Sequence, residues 1–271
     1  MLLQRAVIVL STSCVSLVTL NLLLLLSSNA CWSGEPQFTS LQGGSRIDSL
    51  VVTSDSKTLV GIRTFESKVN FWDLADLNSM RVAELPSLPR KIATSPRDNH
   101  IFVVTDGQTD HRPEAGRMSS LFAIDRDDLR IKAEISLPLV NPWGVSVSPQ
   151  GERIAICGER HLDKDRLGII SILRTADWRT DRVHITSHGP VGAVAFIPDG
   201  MGMKREHTSL AFSWSGSKND SHISELNLET RDAYERCRGH DFRATPDGKW
   251  FAIIGLDGVS VFIRSTRTTQ G

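Results

Sequence analysis

The chain lacks the excess of positive charge that binding to a polyanion requires. Its 271 residues include 31 basic and 31 acidic side chains, so the formal net charge is zero. Proteins that bind nucleic acid generally need a basic stripe that displaces counterions from the phosphates. The balance of charge therefore argues against a general nucleic-acid binder.

The sequence also lacks the short motifs of common catalytic and metal sites. It contains no nucleophile elbow, no phosphate-binding loop and no His-Glu-x-x-His. Only four cysteines are present and none forms a Cys-x-x-Cys pair, so a structural zinc site has no support. We expect Cys157 and Cys237, which lie outside the N-terminal segment, to be buried and not bridged. No cofactor and no metal is predicted.

The first 30 residues differ in composition from the rest. Arg5 is the only charged residue, Ala6 to Leu26 is mostly apolar, and Ser27-Ser28-Asn29-Ala30 follows. This order is typical of a secretory signal. Cleavage after Ala30 would leave Cys31 first, the place at which a bacterial lipoprotein carries its lipid. The apolar stretch is also long enough for an uncleaved membrane anchor. All three alternatives predict an exported protein that is periplasmic, secreted or anchored outside the cytoplasm.

A short phrase recurs along the remaining chain, and no window of helical length there shows apolar residues at three-and-four spacing. Alternating apolar residues are followed by a Ser, Thr or Pro and a polar turn. Counted from Asp55 through Pro96, Pro149, Pro198 and Pro246, the intervals are 41, 53, 49 and 48 residues. A period in this range, with four predicted strands per unit, predicts the blades of a β-propeller.

We therefore predict an all-β fold with three parts. Residues 1–30 form the signal peptide or membrane anchor, residues 31–46 a tether, and residues 47–271 a β-propeller of about five four-stranded blades. The fifth blade lacks a fourth strand, and Phe38–Leu41 is the available closing strand. Completion by another subunit, or no completion, are the alternatives.

Three segments resemble parts of a WD-repeat blade. His188–Gly200 and Gly239-His240 resemble its start, and Phe71-Trp72-Asp73 resembles the dipeptide that closes its third strand. The resemblance covers residues 47–271. The Trp-Asp pair occurs once, and the matching positions elsewhere hold Ile124-Asp125, Leu173-Arg174, Asn227-Leu228 and Ile263-Arg264. The family's buried hydrogen-bond set therefore cannot form in most blades, which favours a diverged, irregular propeller. The resemblance implies a rigid scaffold for binding partners, usually without catalysis.

Two charged segments, residues 106–117 and 159–166, are predicted as loops between second and third strands. Such loops share one rim with the links between blades, and loops on a rigid scaffold commonly carry function. Trp143 lies on one of those links, as a partner contact or as packing between blades. The predicted partner-binding residues are Trp143, His111, Arg112, Glu159, His161 and Asp163. A metal site at His111, His161, Asp163 and Asp165 has no supporting ligand spacing, and a solvated surface is the plainer interpretation.

Two functions remain open. The first is a non-enzymatic scaffold that binds a protein partner or an extracellular ligand through one rim, with the N-terminal segment as a membrane tether. The second is a propeller-type hydrolase or lactonase with a site at the central channel. The predicted inner strands carry mostly small, uncharged residues, whereas an active site needs titratable groups, so binding is favoured. Those inner residues are Thr53, Ala93, Thr94, Ser146, Ser148, Ala195, Ala244 and Thr245.

Overall fold

The regular structure of the chain is β-strand throughout the part that can be described. The computed structural model describes residues 6–7, 37–38, 47–106, 118–162, 165–186, 189–197, 209–215, 221–230, 232–238, 241–244, 250–255 and 258–263. Two short strands near the N-terminus, β1 (Ala6–Val7) and β2 (Gln37–Phe38), pair in parallel with each other. Within these ranges, no helix has the length and apolar character needed to cross a membrane.

The other strands form five antiparallel sheets that follow one another along the chain, which we number as blades 1 to 5. Blade 1 contains β3 (Ser49–Val52), β4 (Thr58–Ile62), β5 (Lys68–Asp73) and β6 (Met80–Glu84). Blade 2 contains β7 (Pro89–Thr94), β8 (His100–Thr105), β9 (Ser120–Asp125) and β10 (Ile131–Ser136). Blade 3 contains β11 (Asn141–Val147), β12 (Arg153–Leu162), β13 (Asp165–Arg174) and β14 (Thr180–Thr186). Blade 4 contains β15 (Val191–Ile197), β16 (Ser209–Ser215), β17 (Ser221–Asn227) and β18 (Ala233–Arg238). Blade 5 contains β19 (Asp241–Ala244), β20 (Trp250–Gly255) and β21 (Gly258–Ile263).

A buried hydroxyl holds the recurring turn between the first two strands of a blade. In blade 3 the Ser148 hydroxyl oxygen accepts hydrogen bonds from the backbone amides of Glu152 and Arg153, at 3.1 and 3.0 Å. Ser95 occupies the same place in blade 2 and Thr53 in blade 1, and all three are buried. These side chains satisfy turn amides that have no partner in the sheet. The Ser or Thr of the repeated phrase is therefore a cap for the turn.

The first strands of successive blades lie side by side and form the inner wall of the propeller. β3 packs against β7, β7 against β11, β11 against β15, and β15 against β19. Two hydrogen bonds cross between blades along this wall. The Thr94 hydroxyl donates to the Val52 carbonyl at 3.5 Å, and the Ser146 hydroxyl accepts from the Phe196 amide at 3.3 Å. No comparable packing joins β19 to β3 among the described strands, so the sheets do not close a ring there.

Apolar side chains fill the spaces between blades. Phe122 lies in the core between blades 1 and 2, Phe102 in the core between blades 2 and 3, and Phe212 in the core between blades 3 and 4. The middle strands of blade 2 are almost wholly buried because this blade has a neighbouring blade on both faces. Cys157 on β12 is one of the buried residues, as expected.

Two tryptophan side chains pack between neighbouring blades. Trp178 lies in the turn before β14 with a left-handed φ of 58°, and its ring is edge-on to His100 and Phe102 of blade 2. Both ring-centroid distances are 6.0 Å. Trp214 packs against the core between blades 3 and 4. Trp250 begins β20, and its side chain lies outside the described residues.

The expected closing strand is not found in the described part of the chain. Gln37–Phe38 pairs with Ala6–Val7, and the described strands of blade 5 form a three-stranded sheet that ends at β21. Residues 39–41 lie outside the described ranges. A strand of two residues forms few backbone hydrogen bonds, so its partner is decided by which segment lies nearby rather than by its own sequence.

Two segments predicted as connections are strands. In the segment 159–166, residues 159–162 and 165–166 extend the β12–β13 hairpin, whose last described pair is Leu162 opposite Asp165. Residues 141–144, predicted as a link, are the start of β11. Backbone pairing with a neighbouring strand outweighs the polar or turn-forming character of these residues.

Candidate partner-binding rim

The charged segments and the blade link for which the sequence predicts partner contacts belong to one edge of the propeller. We call it the upper rim and define it as the edge at which the first strands begin and the second strands end. Residues 63–67 connect β4 to β5 there, and in blade 3 the β12–β13 hairpin extends past the start of β11 to the pair of Leu162 and Asp165. In blade 2, β8 ends and β9 begins at this edge. Antiparallel pairing within each blade brings these segments to the same edge.

Three large apolar side chains are exposed on this rim. Phe65 lies in the β4–β5 connection and is 71% exposed, Met118 lies just before β9, and Trp143 lies near the start of β11. Isolated exposed apolar residues are common, but several on one edge of a rigid scaffold are typical of an interaction surface. The three side chains are therefore the candidates for partner contact among the described residues of this rim.

A bulge in β11 turns Trp143 toward solvent. Pro142 pairs with Gly158 and Gly144 pairs with Cys157, so Trp143 is the extra residue between two regular pairs. Both flanking residues are buried, whereas Trp143 is 37% exposed. Bulges commonly redirect a side chain in this way at functional edges. The backbone that carries the indole is thus fixed on both sides.

An ion pair between a partly exposed arginine and a buried aspartate supports the rim in blade 2. Asp106 follows β8 and is buried, and Arg90 of β7 donates to its Oδ2 atom through Nε at 3.0 Å and also through Nη2. The Asp106 backbone amide donates to the Leu88 carbonyl at 3.0 Å. These contacts join the end of the second strand to the link that precedes the first strand, so the pair fixes the end of β8 at the upper rim.

Glu159 occupies the corresponding place in blade 3 and is buried rather than solvent-facing. The Asn141 side chain donates from Nδ2 to its Oε1 atom at 2.5 Å, and Arg166 lies 3.9 Å from Oε2. Its side chain is 1% exposed because β11 and β13 flank it on both sides. Glu159 is therefore buried within the rim, which corrects the expectation of a solvated loop residue, and its part in partner binding stays a prediction.

The other predicted site residues divide into two groups. His161 is on β12 opposite Arg166, and its side chain lies outside the described residues. His111, Arg112, Asp163 and the N-terminal Cys31 also lie outside the described ranges. The structure thus places Trp143 and Glu159 at the same rim, one exposed and one buried, and leaves the remaining predictions as predictions.

Sequence reasoning missed Phe65 and the Arg90–Asp106 pair as parts of this rim. Phe65 had a detectable signal, because a single aromatic residue stands in a polar turn between Thr64 and Glu66. The ion pair had none, because Arg90 and Asp106 are 16 residues apart and only the β7–β8 pairing brings them together.

The described inner wall carries polar groups of a structural kind. Thr94 and Ser146 join blades through hydrogen bonds to backbone atoms, and Thr53 and Ser148 cap turns. Within the described ranges, no three His, Cys, Asp or Glu side chains are grouped so that they could hold a metal ion.

Comparison with known proteins identifies the fold. No family model matches the chain, and no curated protein matches it. Among solved structures, the Kuenenia stuttgartiensis hydrazine synthase matches with a TM-score of 0.64 and 14% identity, over 81% of this chain and 65% of that one. The structure of U3-55K matches with a TM-score of 0.62 and 10% identity, over 83% of this chain and 63% of that one. This chain thus spans less than two thirds of either protein's length. Both contain β-propellers, and this chain has the β-propeller fold.

Proposed function

We propose that this protein is an exported, diverged WD-repeat-like β-propeller that binds a protein partner through its upper rim and does not catalyse a reaction. The observation that carries the proposal is the exposure of Phe65, Met118 and Trp143 on one edge. Aromatic side chains with fixed backbones are frequent anchors at protein interfaces, because they bury a large area at a small entropic cost.

The construction of the rim supports a preformed site. The bulge in β11 fixes the backbone of Trp143. The Arg90–Asp106 contact fixes the end of β8 in blade 2, and the Asn141–Glu159 contact joins β11 to β12 in blade 3. A site that is ordered before binding loses less conformational entropy when the partner arrives. The two similar solved structures share the fold at low sequence identity, so they support the scaffold part of this proposal and say nothing about the partner.

The proposed site is tested first by mapping contacts in the host cell. A photo-crosslinking residue placed at Phe65 or Trp143 should capture a partner protein, whereas the same residue at Met80 should not. Met80 is similarly apolar and exposed but lies on β6, away from the upper rim. Capture with equal yield from Met80 would contradict a rim-specific interface.

The partner identified in this way is then purified for a binding measurement. Trp143→Ala should weaken its affinity by about tenfold or more, as expected for a central aromatic anchor. Met80→Ala should leave the affinity unchanged. If Trp143→Ala binds as tightly as the unsubstituted chain while remaining folded, the upper rim is not the binding site.

Export is supported by the pattern of residues 1–30, and the fate of the N-terminus decides between its three forms. We expect the mature protein to begin at Cys31, either unmodified or carrying a lipid. Mass spectrometry of the protein isolated from its host gives the answer directly. An intact N-terminus beginning at Met1 would exclude both cleaved forms and leave the membrane anchor.

A further inference from the structure

Among the described strands, the fourth strand of each four-stranded blade is an open edge. β6, β10, β14 and β18 each pair with a single described strand, so half of their backbone hydrogen-bonding groups point away from the sheet. Such edges pair with other chains unless charge, bulges or proline prevent it. The side chains of β6, β10 and β14 are described throughout, and these three edges differ in whether they can accept another strand.

β6 and β10 carry features that disfavour pairing. Arg81 in the middle of β6 donates to the carbonyls of Arg126 and Asp127 in the next blade. In β10 the pairing shifts between Ile131 and Ala133, and the residue at the bulge is Lys132. A bulge and a lysine are both devices that prevent edge-to-edge association.

β14 lacks this protection over its last five residues. Arg182 to Thr186 pair regularly with β13, and the register shift of this pair lies at the other end of the strand. Ile185 and Val183 are 54% and 46% exposed, more than any other described aliphatic side chain. Because they are two residues apart, they project from the same face of the strand. The result is a short, regular edge with an apolar face.

We propose that a second copy of this chain pairs antiparallel with β14 about a two-fold axis centred on His184. In this register Val183 lies opposite the partner's Ile185, and Arg182 lies opposite the partner's Thr186. Each His184 lies opposite its own copy. The pairing joins the two blades into one continuous eight-stranded sheet, and it buries the exposed aliphatic residues of both chains against each other.

The regular part of the strand favours this register. Arg182 to Thr186 pair regularly with β13, and His184 is the central residue of these five, so an axis on His184 uses the whole regular edge. An axis centred on Val183 would reach the irregular end of the strand and set Asp181 against Ile185, and an axis centred on Arg182 would set two guanidinium groups face to face. The axis on His184 sets Val183 against Ile185 and places no like charges opposite each other, so the strand is complementary to its own copy, which is the requirement for a two-fold interface.

The His184 side chain is compatible with this position. It faces blade 4, where its ring lies 6.4 Å from that of Phe212, and burial lowers the pKa of His184. The imidazole is therefore neutral at neutral pH, so the two copies do not repel each other. The proposal is independent of the upper rim, because β14 lies at the outer side of blade 3.

Disulfide trapping tests the register. Val183→Cys and Ile185→Cys are prepared as separate full chains, in addition to the unsubstituted chain, which controls for its own four cysteines. Mixing the two variants under oxidising conditions should give a cross-linked dimer, because directly opposite residues lie within the ~7 Å that a disulfide tolerates. Each variant alone should cross-link little, because its own copy is displaced diagonally by about 7–8 Å. Equal cross-linking of each variant alone would overturn the register.

Sedimentation velocity tests the dimer itself. The full chain should sediment as a dimer, and Val183→Glu should weaken the dimer by about tenfold or more through like charges and lost apolar pairs. Met80→Glu on β6 is the matched control and should leave the dimer intact. Circular dichroism confirms that both variants are folded. A monomeric unsubstituted chain, including one whose β14 edge is occupied by a segment of another protein, would overturn the proposal, as would a dimer insensitive to Val183→Glu.

Discussion

The inner strands of blades 3 and 4 lie close together at Gly144, and we predict that Gly144→Ala destabilises the fold. A Cβ atom at this position would lie 2.7 Å from the Sγ atom of Cys157 and 3.2 Å from the Val194 amide nitrogen. It would also lie 3.3 Å from the Ala193 Cα atom. The contacts on blade 4 are with backbone, so they cannot be relieved by a change of side-chain rotamer.

The expected change in the free energy of unfolding follows from two opposing effects. Adding a methyl group to a well-packed core costs about 1–3 kcal/mol. Replacing glycine where the backbone is not left-handed stabilises by about 0.4–1 kcal/mol, because it restricts the unfolded chain. We therefore expect the free energy of unfolding to fall by about 1–2 kcal/mol, equivalent to a decrease in Tm of roughly 2–8 °C.

A second substitution separates the Cys157 contact from the others. Cys157→Ala removes the buried Sγ atom and should cost about 1 kcal/mol through the small cavity. In the double variant, the new Cβ atom at position 144 extends into that space. The double variant should therefore be more stable than the sum of the single effects by about 1–2 kcal/mol, which is a coupling expected for residues in direct contact.

Urea unfolding of the full chain, monitored by circular dichroism, measures all four free energies. Gly192→Ala on β15 is the matched control, because its Cβ atom would meet only the Ser213 hydroxyl within 4 Å, at 3.3 Å. This variant should unfold within about 1 kcal/mol of the unsubstituted chain. The reasoning is refuted if Gly144→Ala is as stable as Gly192→Ala, or if the effects of Gly144→Ala and Cys157→Ala are simply additive.

Three further predictions concern the turn cap, the buried ion pair and the titration of a histidine. Ser148→Ala removes the acceptor for two turn amides and should lower the free energy of unfolding by about 1–2 kcal/mol in urea. An unchanged value would mean that the hydroxyl does not support the turn. Arg90→Met leaves the buried Asp106 carboxylate without its counter-charge and should cost about 2–4 kcal/mol, whereas a loss below that of Ser148→Ala would contradict the pairing. Burial lowers the pKa of His184 below 6.5, so the unfolded chain takes up a proton first as the pH falls. Stability should therefore decline as the pH falls below 6.5, and His184→Gln should flatten this decline in thermal unfolding at one low protein concentration. An identical pH profile for both chains would exclude His184 as its origin.

Short-range features of the sequence predict the secondary structure of the propeller. Successive side chains of a strand point to opposite faces, so the apolar residues of β8 are buried against the neighbouring blade on each side. Ser95 and Ser148 accept hydrogen bonds from amides only a few residues away and cap the turns. These features depend on local geometry, so their repetition predicts the blades, their order and their approximate bounds. The exposed Phe65 belongs to the same level, because it interrupts a polar turn.

The site, in contrast, is decided by contacts between distant residues. Glu159 is buried because Asn141 and Arg166 meet it through strand pairing, and Trp143 is exposed because one extra residue interrupts the β11–β12 register. A register is a property of two strands, and a one-residue shift moves side chains to the other face. Composition and period along one strand therefore determined that this chain forms stacked β-sheets. Only the pairing and packing between strands decided which side chains of the upper rim face solvent.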